Sequence, residues 1–243
     1  MQTHFTAEQL TDPDVAVTDR ILRACVHCGF CTATCPTYLL TRDELDGPRG
    51  RIYLAKDMLE KNRPADATTV KHLDRCLTCL SCMTTCPSGV HYMHLVAHAR
   101  RHIENTYRRP LADRVVRWLL VTVLPYTGRF RFALSLAGWV RPFRGLFPRR
   151  LRALLELAGE QRRPERIVSY RAPSASRRMG RIALLPGCVQ PALRPEINEA
   201  TVRLLNRYGI DVIVAEGTGW WGALVHHLGR EEAAQAQARG GID

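Results

Sequence analysis

Long apolar runs are missing from this 243-residue chain. The longest mostly apolar stretch, Trp118 to Leu124 ahead of Pro125, falls far short of the roughly 20 residues that cross a bilayer. The opening MQTHFTAEQLTDPD is polar and mixed in charge, with no basic n-region and no apolar h-region, so no secretory leader is expected. Glycine-rich dinucleotide fingerprints are lacking too, which argues against a nucleotide cofactor held by this chain itself. Lysine is absent from Arg100 to Arg178, where 19 arginines face only five acids (Glu104, Asp113, Glu156, Glu160, Glu165). That segment therefore carries about +14, and the rest of the +12 chain sums to about −2. These absences place the chain in the cytoplasm. Its nine cysteines are then poor candidates for a disulfide framework, because cytosolic thiols stay reduced, and metal or redox chemistry becomes the expectation.

Eight of the nine cysteines form one internal repeat. The first copy is Cys25-Val-His-Cys28-Gly-Phe-Cys31-Thr-Ala-Thr-Cys35-Pro36, and the second is Cys76-Leu-Thr-Cys79-Leu-Ser-Cys82-Met-Thr-Thr-Cys86-Pro87. Both read C-x2-C-x2-C-x3-C-P. A [4Fe–4S] cube takes four thiolates, one per iron; two-residue gaps let three successive cysteines wrap one cube, and the fourth, before proline, ligates the other. The expected metal ligands are thus Cys25, Cys28, Cys31 and Cys86 for one cluster, and Cys76, Cys79, Cys82 and Cys35 for the other. Structural zinc prefers two C-x2-C pairs around one tetrahedral ion, which two triplets with trailing Cys-Pro fit poorly. Cys188, in Pro186-Gly187-Cys188, has no cysteine partner nearby and reads as a buried thiol packing like a small hydrophobe.

The expected fold is mainly α. Residues 1–108 form a helical two-cluster module, with a helix from about Gly50 to Lys61, another leading into Cys76, and a third over Tyr92 to Tyr107 that carries Leu95, Val96, Ala99 and Ile103 on one side. Residues 109–179 read as an arginine-rich connecting region of short amphipathic helices, over Val115–Leu124, Phe130–Val140 and Leu146–Leu157, broken by prolines. Residues 180–243 hold a buried strand at Arg181–Pro186, a helix at Glu196–Tyr208 closed by Gly209, and a strand at Asp211–Ala215. That β-α-β unit leaves apolar strand surface uncovered and reads as an incomplete α/β domain.

Two further clusters are weighed against bland alternatives. His91, His94, His98 and His102 share part of a helical face, which in an amphipathic helix points to partly exposed side chains rather than metal ligands; His226-His227 is equally weak. The arginine stretch shows no recognised nucleic-acid motif. Its aromatics (Trp118, Phe130, Phe132, Trp139, Phe143, Phe147) instead fit contact with an acidic subunit or an anionic membrane surface.

The segment Ile21–Tyr38, followed by Asp43-Glu-Leu-Asp-Gly-Pro-Arg-Gly-Arg-Ile-Tyr53, closely resembles the iron–sulfur subunit of bacterial glycolate oxidase (glycolate dehydrogenase), as do His72–Cys79, Thr85–Val90 and Gly187–Pro191. The resemblance implies an α-helical ferredoxin domain with two [4Fe–4S] clusters, and flavin-containing partner subunits that carry FAD and oxidise glycolate to glyoxylate. Electrons would pass through this chain towards quinone, at the cytoplasmic face of the inner membrane, with peripheral membrane contact. Catalytic residues are expected in the partner, none in this chain. Related two-cluster subunits serve lactate, glycerol 3-phosphate and heterodisulfide redox complexes, which keeps those substrates open. The family also carries Cys-Cys-Gly signatures. Here Trp220-Trp221-Gly222 stands at the first, and the second is not reached. A third metal centre is therefore not expected, and natural divergence, a damaged gene and an artificially shortened chain all fit. A remnant that binds clusters without turnover is the remaining alternative.

Overall fold

A computed structural model describes residues 1–147, 152, 155–156, 179–187, 189–214 and 222–240. Its contacts divide the chain into two units, one of residues 1–110 with 225–231 and one of 111–224 with 232–240. Each is mainly helical, as expected.

The first unit is built on short helices started by proline or capped by aspartate. Helix α1 (Pro13–Ala24) has Pro13 at its first position and the Asp12 carboxylate accepting from the Asp14 N–H, so an otherwise orphaned donor is satisfied where proline needs none. Helix α2 (Pro36–Thr41) and helix α3 (Pro48–Glu60) also open on proline. In helix α4 (Ala67–Asp74) the Asp66 side chain accepts from the Thr69 N–H. A single turn, α5 (Ser81–Thr84), precedes the long α6 (Tyr92–Thr106). The prolines that close each cysteine motif therefore do different jobs: Pro36 starts a helix, whereas Pro87 lies in the link to α6.

One core joins these pieces. Leu22, Ile52, Ala55, Met58, Leu73, Leu95, Val96, Ala99 and Ile103 are buried together, and the four residues expected on the inner side of α6 are all among them. Fully burying a large aliphatic side chain contributes about 1.5–3 kcal/mol. Helix α3 lies so close to the turn before it that a Cβ on Gly50 would stand 2.2 Å from the Glu44 carbonyl oxygen. Only glycine permits that approach, which fixes the start of α3 over the cysteine loops.

In the second unit, α7 (Leu111–Val123) and α8 (Thr127–Val140) are the first two helices expected in the arginine-rich region; the expected Leu146–Leu157 helix lies mostly outside the described residues. Strands β1 (Gly180–Leu184) and β2 (Ile210–Val214) pair in parallel, with Ile182 opposite Val212. Between them run the short α9 (Gln190–Leu193) and α10 (Pro195–Arg207), and Gly209, with φ of 74°, turns the chain into β2. The β-α-β unit is thus present, but the expectation of a buried first strand is corrected. Residues 180–183 of β1 are exposed and Leu184 is half-buried, because the sheet has only two strands among the described residues and cannot cover both faces of each. Two short helices follow along the chain, α11 (Ala223–His227), whose residues from Val225 belong to the first unit, and α12 (Glu231–Arg239). No helix among the described residues is long and apolar enough to cross a membrane.

Candidate metal centre

The two cysteine loops have nearly the same backbone. His27 and Thr78 occupy equivalent positions and have φ of 58° and 53°; Gly29 and Leu80, also equivalent, have φ of 87° and 59°. These left-handed residues fall in the x2 gaps and reverse the chain between successive cysteines, so that three thiols of a loop can face one side. Glycine adopts such a φ freely, while Leu80 does so at a steric cost of roughly 1–2 kcal/mol.

The loops close around two cavities. Cys25, Cys28, Cys31 and Cys86 line the first, together with His27, Arg49 and Tyr92. Cys35, Cys76, Cys79 and Cys82 line the second, with Arg51 and Tyr92. Cys35 has left the neighbourhood of its own motif for the cavity of the other, and Cys86 has done the reverse. Pro48, Cys82 and Tyr92 belong to both walls. All eight cysteines are free thiols.

The electrostatics of each cavity call for positive charge. Burial, and then the neighbouring Cys76, Cys31 and Cys35, push the Cys82 thiol up to about 12. Burial and Cys25 likewise push Cys31 up. Thiolates this crowded repel one another unless a cation sits among them. The donor set therefore fits iron, which holds its ligands as thiolates. Each wall also contains a buried nitrogen with no hydrogen-bond partner, His27 Nε2 in the first and Arg51 Nη2 in the second. Such orphans are costly in a protein interior, and both stand in walls where a sulfide-bearing group fits.

Behind the second cavity lies a buried network that the sequence reading missed. The fully buried Asp46 carboxylate accepts from His72 Nδ1 at 2.8 Å and from Arg75 Nη1 at 2.9 Å, and its Oδ1 is 3.7 Å from Arg51 Nη2. Burial raises the Asp46 carboxyl, but the His72 and Arg75 hydrogen bonds outweigh it and hold the group below the ordinary carboxylate range. Arg51 Nε donates to the His72 carbonyl at 2.7 Å, leaving Nη1 3.8 Å from Cys35 Sγ. Asp43, Asp46 and His72 come close enough to resemble a metal site, yet the arginines already occupy the Asp46 carboxylate. The signal available beforehand was the string Asp46-Gly-Pro-Arg-Gly-Arg51, whose charges sit at a helix start with no solvent-facing reason to alternate.

The histidines of α6 are not gathered into a metal site. His98 Nδ1 pairs with the Thr18 hydroxyl at 2.7 Å, His102 Nε2 with the Arg63 carbonyl at 2.9 Å, and His91 and His94 are exposed. Cys188 and Trp220-Trp221 lie outside the described residues. In the arginine-rich region Trp118, Phe132, Trp139 and Phe143 are exposed.

Fold and cavities define the class: residues 21–90 match the 4Fe–4S dicluster domain, and the chain carries that domain with its two [4Fe–4S] clusters. The chain is also homologous over its whole length to a named subunit. It is 48% identical across 244 aligned positions to the glycolate oxidase iron–sulfur subunit of Escherichia coli, covering 100% of this chain and 57% of that protein. It is 30% identical to the probable glycolate oxidase iron–sulfur subunit of Bacillus subtilis, covering 90% of this chain and 52% of the relative. The succinate dehydrogenase iron–sulfur subunit of Coxiella burnetii is 28% identical over 89 residues, 34% of this chain and 38% of its own. The chain thus spans about half the length of the glycolate oxidase relatives. No solved structure matches it.

Proposed function

We propose that this chain is the electron-transfer part of a glycolate-oxidising complex, with Cys25, Cys28, Cys31 and Cys86 holding one [4Fe–4S] cluster and Cys35, Cys76, Cys79 and Cys82 holding the other. The observation that carries this reading is the placement of Cys35 and Cys86, each in the cavity of the other motif, with Cys82 in the wall common to both. When bound, each cube supplies a site that takes up and returns one electron at a time. The chain's own residues fix where those sites lie. The left-handed loop residues aim the thiols, Cys35 and Cys86 tie the motifs together, and Tyr92 and Pro48 close the partition between the cavities.

The donor is a flavin in a partner subunit, where glycolate is oxidised to glyoxylate, and the acceptor is quinone or another membrane carrier. The work is done in the cytoplasm, at the face of the inner membrane. The exposed aromatics among the arginines of α7 and α8 support a peripheral contact there.

The test is anaerobic purification with iron and acid-labile sulfide analysis, and EPR after reduction. Two cubes give about eight irons and eight sulfides per chain; about four would remove one motif from the reading. Co-purification with a flavoprotein that oxidises glycolate supports the complex. A partner oxidising only lactate refutes the glycolate assignment.

A further inference from the structure

The two cavities are built on equivalent loops but are not equally supplied with hydrogen-bond donors. Around the second, Arg51 Nη1 lies 3.8 Å from Cys35 Sγ and the Tyr92 hydroxyl donates to Cys76 Sγ at 3.6 Å, whereas the Thr37 hydroxyl, 3.2 Å from Cys35 Sγ, donates to the Asp46 carbonyl at 2.8 Å. Ser81 reaches Cys79 through both its N–H and its hydroxyl. Around the first, no side-chain hydrogen bond to the sulfur of Cys25, Cys28, Cys31 or Cys86 is found among the described residues; Thr34 reaches only the Cys31 carbonyl. The position equivalent to Ser81 is Phe30, whose side chain has nothing to donate, and Phe30 is exposed.

Charge follows the same division. Arg49 lines the first cavity, but Glu44 accepts from its Nε at 2.6 Å and both side chains are substantially exposed, so its field is largely cancelled and screened. Arg51 is 1% exposed, and the carboxylate beside it is shared with Arg75 and His72. Asp43, partly exposed, lies 4.0 Å from His72 on the far side. The Asp46 carbonyl also contacts Cys35 Sγ, at 3.6 Å; it accepts only from a protonated thiol and gives nothing to a thiolate.

A cluster gains negative charge on reduction, so donors and buried cations directed at its sulfurs favour the reduced form and raise the potential. We infer that the cluster held by Cys35, Cys76, Cys79 and Cys82 has the higher potential of the two, so that electrons enter at the Cys25–Cys28–Cys31–Cys86 site and come to rest beside Arg51, Tyr92 and Ser81. This rests on the proposed ligand sets, and it adds a direction to them. Arg51 acts as a tuning and positioning residue, held by Asp46 and His72.

The experiment is an EPR-monitored redox titration of the full chain, with the parent and the variants that keep all eight cysteines restricted to samples whose iron and sulfide contents match two cubes, and the single-cysteine variants to samples matching one. Failure of that content check overturns the ligand reading; the titration decides the direction. Cys28→Ala, which spares the second site, should retain the higher wave, and Cys79→Ala the lower. In the two-cluster protein, Tyr92→Phe and Ser81→Ala should each make the higher wave several-fold harder to populate and leave the lower unmoved. Arg51→Gln should do so about tenfold, which for a one-electron couple is about 59 mV, with Arg51→Lys intermediate. Phe30→Ser, at an exposed site where folding is not at stake, should raise the lower wave and narrow the gap. If Arg51→Gln fails to load iron, Tyr92→Phe, Ser81→Ala and Phe30→Ser still decide. The inference is overturned if the higher wave belongs to Cys79→Ala, if the Tyr92 and Ser81 variants shift both waves together, or if neither variant moves a wave at full iron content.

Discussion

Crossed ligation can be separated from the simpler arrangement, in which each motif keeps its own four cysteines, by pairs of substitutions counted in iron. Cys35 belongs to the first motif by sequence and lines the second cavity with Cys79, whereas Cys28 lines the first. Cys35→Ala with Cys79→Ala therefore strikes one site twice and should leave about four irons per chain. Cys35→Ala with Cys28→Ala strikes both sites and should leave close to none, since each cube takes four thiolates. The simpler arrangement reverses the two outcomes. The side chains removed are small. Cys28 and Cys79 are exposed and only Cys35 is buried, at 6% exposure, so the packing loss is of order 1 kcal/mol. That is well inside the 5–15 kcal/mol stability of a typical domain, and both double variants should fold around the Leu22–Met58–Leu95 core. The assay is iron and sulfide per chain with EPR of the reduced protein, and helical circular dichroism as the folding control. About four irons in the Cys35/Cys28 pair, with near none in the Cys35/Cys79 pair, would refute the crossed ligand sets.

Gly50→Ala should destabilise the first unit by about 1–3 kcal/mol through the clash with the Glu44 carbonyl, read as a lower urea midpoint at unchanged m-value; an unchanged midpoint contradicts the close approach. Leu95→Ala, at 1% exposure in the shared core, should cost about 2–5 kcal/mol in the same assay. Thermal stability should hold above about pH 6.5 and decline below it, because burial lowers His98 from its ordinary 6.5. The unfolded chain then binds that proton first as pH falls. Further loss should come below 3.8, where Asp57, lowered by Lys61 and Arg63, is protonated in the unfolded chain first. His98→Gln should flatten the decline that begins near 6.5; a curve identical to the parent's would assign it elsewhere.

The gathering of the cysteines into two cavities was legible because its information is local: spacing alone determines which thiols a short loop can gather, and proline marks the one that leaves. The helices of the first unit were legible for the same kind of reason, as Leu95, Val96, Ala99 and Ile103 repeat at helical intervals. Helix α1 escaped notice although Asp12-Pro13 is a strong start signal, because its apolar residues are few and its packing against α6 supplies the rest. The exposure of β1 could not be read from Ile182 and Leu184, whose apolar character predicts burial but not what is available to cover it. Arg51, Tyr92 and Ser81 were invisible as a group. Each is ordinary in its own segment, and only the closing of α3, α5 and α6 on one cavity gives them a common target.

Because Pro48, Cys82 and Tyr92 stand in the wall between the cavities, the twofold repeat in the sequence does not correspond to two transferable parts. With the crossed ligand sets proposed above, half of the pattern, copied into another protein, would carry three ligands for one cube, a single ligand for a cube it cannot complete, and an open side where the partition should be. Heredity can duplicate the motif, but what it must pass on intact is the pair.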